Sequence, residues 1–140
     1  MIHTIIRPST VSGRGNKLLE MIRSLAFTRI FPDISTRTQP IAVEDLSDLM
    51  AEILEMEEPD HMVNAAGPLS MTIGEMAREL YHDEGYRCVL MPAPQVILEW
   101  SMMDILPPPF HRENRQLLRH YNTTGENHAL QILGDLRSPF

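Results

Sequence analysis

Thr38-Gln-Pro-Ile-Ala-Val-Glu-Asp-Leu46 changes its periodicity halfway along. Gln39 to Val43 is a short extended run that stops at an acidic pair. The residues after it place Leu46, Leu49, Met50, Ile53 and Leu54 at i, i+3, i+4, i+7 and i+8, the apolar stripe of a helix. Asp45 is then the expected N-cap, its carboxylate accepting free backbone N–H groups of the first turn. One segment therefore turns a strand into a buried helix.

The rest of the chain repeats that join. Ile2-His-Thr-Ile-Ile6 is a β-branched run suited to a strand buried on both faces of a parallel sheet. A loop rich in small residues follows it, from Arg7 to Gly15. In open α/β sheets, ligands bind beyond the carboxyl ends of strands, so this loop is the first candidate site. Asn16 is placed to cap a helix whose inner face is Leu18, Leu19, Ile22, Leu25 and Ala26. Phe31 to Ser35 reads as a turn. His61 to Gly67 reads as a second buried strand, parallel to the first. Thr72 and Glu75 have capping-box spacing, with Met71 and Met76 as the hydrophobic staple. The helix they start turns Ile73, Met76, Ala77, Leu80 and Tyr81 inward. Arg87 to Met91 is a strand halted by Pro92 and Pro94. Apolar helix is expected over Val96 to Met103 around Trp100, and a more polar one from His111 to Tyr121. A last helix runs from Glu126 to Leu133, with Gly134 free to take a left-handed cap.

The chain has 140 residues, about one domain, and reads as a single module over 1–140. Its 43% apolar and 22% charged content suits a globular core. A formal net charge of -7 argues against nonspecific nucleic-acid binding and against docking on an anionic membrane. No apolar run approaches the roughly 18 residues of a membrane span. Arg7 and Pro8 interrupt the first apolar run, so a signal-peptide pattern is absent. A single cysteine, Cys88, excludes an internal disulfide and fits a reducing compartment. A cytoplasmic location is expected.

Local chemistry is sparse. Ser12-Gly-Arg-Gly-Asn-Lys17 offers glycines and two cations to an anionic ligand. It has neither Walker nor dinucleotide spacing, and a plain turn is the commoner outcome for such a stretch. No histidine pair has the spacing of HExxH, so no metal site is expected. Ser9, Thr10 and Ser12 have no local base. Cys88 sits in an expected strand, where a packed thiol is commoner than a nucleophile. No catalytic residue is assigned.

The order of these segments resembles the distal half of the extended and atypical short-chain dehydrogenase/reductases, the NAD-dependent epimerase/dehydratase type. Ile5-Ile-Arg-Pro-Ser-Thr-Val-Ser-Gly13 looks like that family's sixth strand and the loop under the nicotinamide. Thr38 to Leu46 looks like its strand–Asp–helix segment. Asn64-Ala-Ala-Gly-Pro68 with Met71-Thr-Ile-Gly-Glu75 looks like its last sheet strand and the helix that follows. Leu117 to Asn122 and Leu133-Gly134 with Pro139 look like the tail of a subgroup, one similar to the NAD(P)H-binding accessory subunit of respiratory complex I. Two family parts have no counterpart: the GxxGxxG turn and the Tyr-x-x-x-Lys pair. Tyr81, Tyr86 and Tyr121 are followed at +4 by Gly85, Leu90 and Gly125.

The resemblance implies an α/β fold: the last strands of a Rossmann-like sheet plus a small α/β substrate domain, with the first half missing. Strands Gln39–Val43 and Val89–Met91 are expected to pair in that substrate domain. Pro8, Ser9, Thr10 and Val11 would line the NAD or NADP site, and Gly13, Arg14, Lys17 and Trp100 the substrate. Cofactor binding by this chain alone would be weak or nil. Expected partners are an N-terminal nucleotide-binding half or a second copy, and a small-molecule substrate. The other expectations are a non-catalytic assembly module and an independent small-molecule binder.

Overall fold

The computed structural model describes residues 3–92 and 121–140. Trp100 and the helices expected over Val96–Met103 and from His111 lie outside them. The backbone divides into two compact units.

The first unit comprises Met1–Arg14, Thr38–Ser70 and Asn122–Phe140. Strand β1 (Ile5–Pro8) pairs in parallel with β6 (Met62–Ala65), Ile5 opposite Met62 and Pro8 opposite Ala65. This is the parallel pair expected from the sequence, starting at Ile5. A second parallel pair joins β2 (Val11–Ser12) to β5 (Ile41–Ala42). Helix α2 (Val43–Glu55) leaves β5 without a loop. Helix α4 (His128–Leu133) completes the unit, and Gly134 after it has a positive φ of 76°. Ile41, Leu49, Ile53, Val63, Ala65, Ala129 and Leu136 form one buried cluster.

The second unit comprises Gly15–Arg37 and Met71–Tyr121. Helix α1 (Lys17–Ser24) is capped by Asn16, whose side chain accepts the N–H groups of Leu18 and Leu19. Helix α3 (Ile73–Asp83) carries the expected capping box, Thr72 and Glu75 each satisfying the other's backbone. Backbone donation from Thr72 is the main reason the Glu75 carboxyl titrates below its ordinary value. Ile73, Met76, Ala77, Leu80 and Tyr81 are all buried, as the periodicity predicts. Strand β3 (Ile30–Asp33) pairs in parallel with β8 (Val89–Pro92).

Five expectations are corrected. Phe31 belongs to a strand rather than a turn: Phe31 is fully buried opposite Leu90, and Pro32 is tolerated because this strand has a single neighbour among the described residues. Strand β8 therefore pairs with β3, and β5 pairs with β2; Gln39–Val43 and Val89–Met91 do not pair. Asp45 is not an N-cap. The helix starts three residues earlier than expected, at Val43, with Ala42 as an N-cap that makes no side-chain bond. Met50 and Leu54 face outward, 49% and 85% exposed. Nor is β1 buried on both faces, because Ile5 is 53% exposed.

Candidate functional site

The carboxyl ends of β1 and β6 open into a cavity of about 280 Å3 in the first unit. Three stretches line it: 7–9, 64–66 and 122–124. Pro8 is tolerated at the end of β1 because the donors to β6 are the N–H groups of Ile5 and Ser9, so a proline at position 8 removes no bond from this pair. The Ser9 N–H donates to the Ala65 carbonyl at 2.8 Å, and its hydroxyl donates to the Asn122 carbonyl at 2.7 Å. The Thr10 and Thr38 hydroxyls share a hydrogen bond of 2.6 Å, and the Asn122 amide reaches Thr10 at 3.4 Å. The Thr10 carbonyl accepts the Ile41 N–H at 2.9 Å, which hands the chain on to β2.

Gln39 ties the far wall together. Its N–H donates to Asn122, its side-chain amide donates to the Gly67 carbonyl at 2.9 Å, and its side-chain oxygen accepts the Thr124 N–H. Asn127 holds Ala66 from the other side, accepting its N–H and donating to its carbonyl at 2.8 Å. His128 Nδ1 accepts the Asn64 N–H at 3.1 Å, so a neutral ring carries its proton on Nε2, which faces Glu126 at 3.9 Å.

The cavity wall is thus made of amides, hydroxyls and backbone groups, and Arg7 is its one charged side chain among the described residues. Such a wall can orient a neutral polar ring or a carboxamide.

Of the residues expected at the cofactor, Pro8 and Ser9 line this cavity. Thr10 braces it from behind, and Val11 already belongs to β2. Gly13 packs against Val43, where a β-carbon would come within 3.2 Å. Arg14 and Lys17 are both exposed and fall in different units. The Gly15 N–H donates to Glu20 at 3.2 Å, so this donor is already directed to the chain's own carboxylate. Sequence reasoning missed Gln39, Asn64, Asn122 and Asn127. For Asn122 and Asn127 the one signal was the run of polar residues that they bound; Gln39 and Asn64 had none.

In the second unit, Tyr81 is fully buried. Its ring meets Phe31 edge-on, and its hydroxyl donates to the Ile30 carbonyl at 3.3 Å. Burial pushes its phenol up to about 12. Burial also pushes the Cys88 thiol up, which keeps it protonated and unreactive. Among the described residues, no group of three His, Cys, Asp or Glu side chains could hold a metal. No described helix is long and apolar enough to cross a membrane.

No family model and no curated protein matches the chain. Solved structures do. A nucleoside-diphosphate-sugar epimerase from Staphylococcus aureus is 15% identical, covering 97% of this chain and 50% of its own, with a TM-score of 0.64. A dTDP-4-dehydrorhamnose reductase from Clostridium acetobutylicum is 16% identical, covering 84% of this chain and 47% of its own, with a TM-score of 0.57. The Bordetella bronchiseptica enzyme WbmG, solved with NAD and UDP, is 15% identical, covering 64% and 29%, with a TM-score of 0.50. The chain spans half or less of the length of these structures. At such identities the likeness is one of fold: this is the mixed α/β, Rossmann-like fold of the NAD-dependent epimerases and reductases, over about half its extent.

Proposed function

We propose that this chain is the substrate-side half of an NAD(P)-binding epimerase/dehydratase-like protein, and that it is inactive alone. The placement of the cavity supports this. It lies at the carboxyl ends of two parallel strands, where this class of sheet holds its ligand. Its wall of amides and hydroxyls, with Arg7 as the one charged side chain among the described residues, suits the nicotinamide end of a dinucleotide. Ser9 and Asn122 would border the ring, and Pro8 would form an apolar edge. The pyrophosphate and the ribose need a glycine-rich turn at a helix N-terminus, which the sequence lacks. A nucleotide-binding half must supply it.

Calorimetric titration with NADH and NADPH tests this. A few backbone hydrogen bonds, each worth roughly 0.5–1.5 kcal/mol net, give at best roughly millimolar binding, about 4 kcal/mol. A low-micromolar constant for the chain alone would reveal a phosphate site elsewhere, with the Gly13–Lys17 loop first to mutate. With nicotinamide mononucleotide, backbone amide resonances of Ser9 and of residues 122–124 should shift. Shifts confined to other residues would refute the assignment.

The second possibility is a non-catalytic assembly module of the complex I accessory kind. The outer edge of β1 favours it, having no strand neighbour among the described residues. Pull-down against a first-half protein, with and without cofactor, separates the two.

A further inference from the structure

We infer that Arg137 is a positioning residue for the cavity wall: the end of the chain clamps β2 onto β5 and so places Pro8 and Ser9. The functional arm of this inference rests on the nicotinamide proposal above; the structural arm does not.

The clamp has three points. Asp45 is buried, 2% exposed, in the first turn of α2. Both of its oxygens are taken by one residue: the Arg137 N–H donates to Oδ2 at 2.8 Å and the guanidinium to Oδ1 at 2.6 Å. The same guanidinium nitrogen reaches Asp48 Oδ2 at 2.9 Å. Next to it, Leu136 joins the buried cluster with Ile41 and Leu49. Two residues further, the Pro139 carbonyl accepts the hydroxyl of Ser12, itself buried.

The last residues of the chain therefore hold both strands of the β2–β5 pair, Ser12 directly and β5 through the helix that leaves it. The register of that pair spans only Val11–Ile41 and Ser12–Ala42. Two residues of ladder fix a register weakly by themselves, and a slip of one residue would turn each side chain to the other face. Ser9 stands two residues upstream of β2, so the position of β2 is passed to the cavity. A buried carboxylate is costly unless it is paired and hydrogen-bonded, and the pairing here comes from 92 residues away. Nothing local can replace it.

The test uses the full chain and the variants Arg137→Ala, Arg137→Lys and Ser12→Ala. Amide hydrogen exchange is followed at Ile41, bonded to Thr10, and at Ile5, bonded to His61. Arg137→Ala should speed exchange at Ile41 at least tenfold while leaving Ile5 within twofold. Arg137→Lys should fall between, because it keeps the charge but loses the planar fork. Ser12→Ala should reproduce part of the effect. The apparent dissociation constant for nicotinamide mononucleotide should rise at least threefold in Arg137→Ala. Unchanged exchange at Ile41 overturns the inference, and so does equal acceleration at Ile5, which would mean plain loss of stability. If the unmutated chain shows no shift with the mononucleotide, the nicotinamide proposal falls, and the exchange ratio still decides the role of Arg137.

Discussion

A β-carbon on Gly67 would stand 1.6 Å from the carbonyl oxygen of Pro40. The two backbones pack directly, with the Gly67 N–H donating to Gln39 and the Gln39 side chain donating back to the Gly67 carbonyl. No rotamer can relieve a clash with backbone. Gly67→Ala should therefore cost roughly 3 kcal/mol or more. Gly125→Ala, which meets nothing within 4 Å, should stay within about 0.5 kcal/mol. Urea denaturation of both variants is the check; equal midpoints would show that the Gly67 contact is looser than described.

Asp45 should matter through Arg137 and not through its own helix. Asp45→Ala should lower the denaturation midpoint. Adding Arg137→Ala should then lower it little further, because both changes remove one interaction. If the two effects simply add, the pair is not coupled.

Stability should fall between about pH 10 and pH 12. The Tyr81 phenol is raised to about 12 in the folded chain, while the unfolded phenol titrates near 10. Below the lower value both states are protonated and the contribution is fully present. Through the window the unfolded state loses its proton first, and the contribution is lost as pH rises to the folded value, on the order of 2–3 kcal/mol in all. Tyr81→Phe should abolish this part of the slope. A slope unchanged in Tyr81→Phe would count against the shift.

The chain alone should self-associate with rising concentration. The edge of β1 is open among the described residues, Ile5 and Met62 are 53% and 46% exposed on one face of the sheet, and Met50 and Leu54 line a groove of about 330 Å3 with Ile6. The buried Thr4 hydroxyl in that groove has no hydrogen-bond partner among the described residues. Leu54→Lys should reduce association and change stability by no more than about 0.5 kcal/mol. Light scattering that shows a monomer at high concentration would remove the case for a docking face. Every charged side chain from Val43 to Asp60 is acidic, so a partner seated here should bring basic residues and bind more weakly in salt.

The sequence made α1, α3 and the parallel β1–β6 pair legible because their signals are local: caps at Asn16 and Thr72, and apolar spacing along α1 and α3. What it hid is of two kinds. Two-residue strands leave almost no periodicity, so the sequence pairs β5 with Val89–Met91 instead of β2, and β3 reads as a turn at Pro32. The Asp45 and Asn122 contacts join residues far apart in the chain. A carboxylate at a strand–helix junction has the same appearance whether it caps its own helix or meets an arginine from the far end. Pro8 and Ser9 could be placed at the site from their position after a strand, whereas Gln39 and Asn127 had no such mark.

The first unit also sets an order of events in synthesis. It is assembled from three stretches of chain with the whole second unit inserted between them. Its core includes Ala129 and Leu136, so the cluster around Leu49 and Val63 cannot close until those residues have left the ribosome. Both strands of the second unit's β3–β8 pair are complete by Pro92. Folding should therefore proceed from the inserted unit outward, and the enclosing unit should be the last to gain protection from proteases. Removal of residues 129–140 would act as a core mutation, with consequences for abundance in the cell rather than for chemistry.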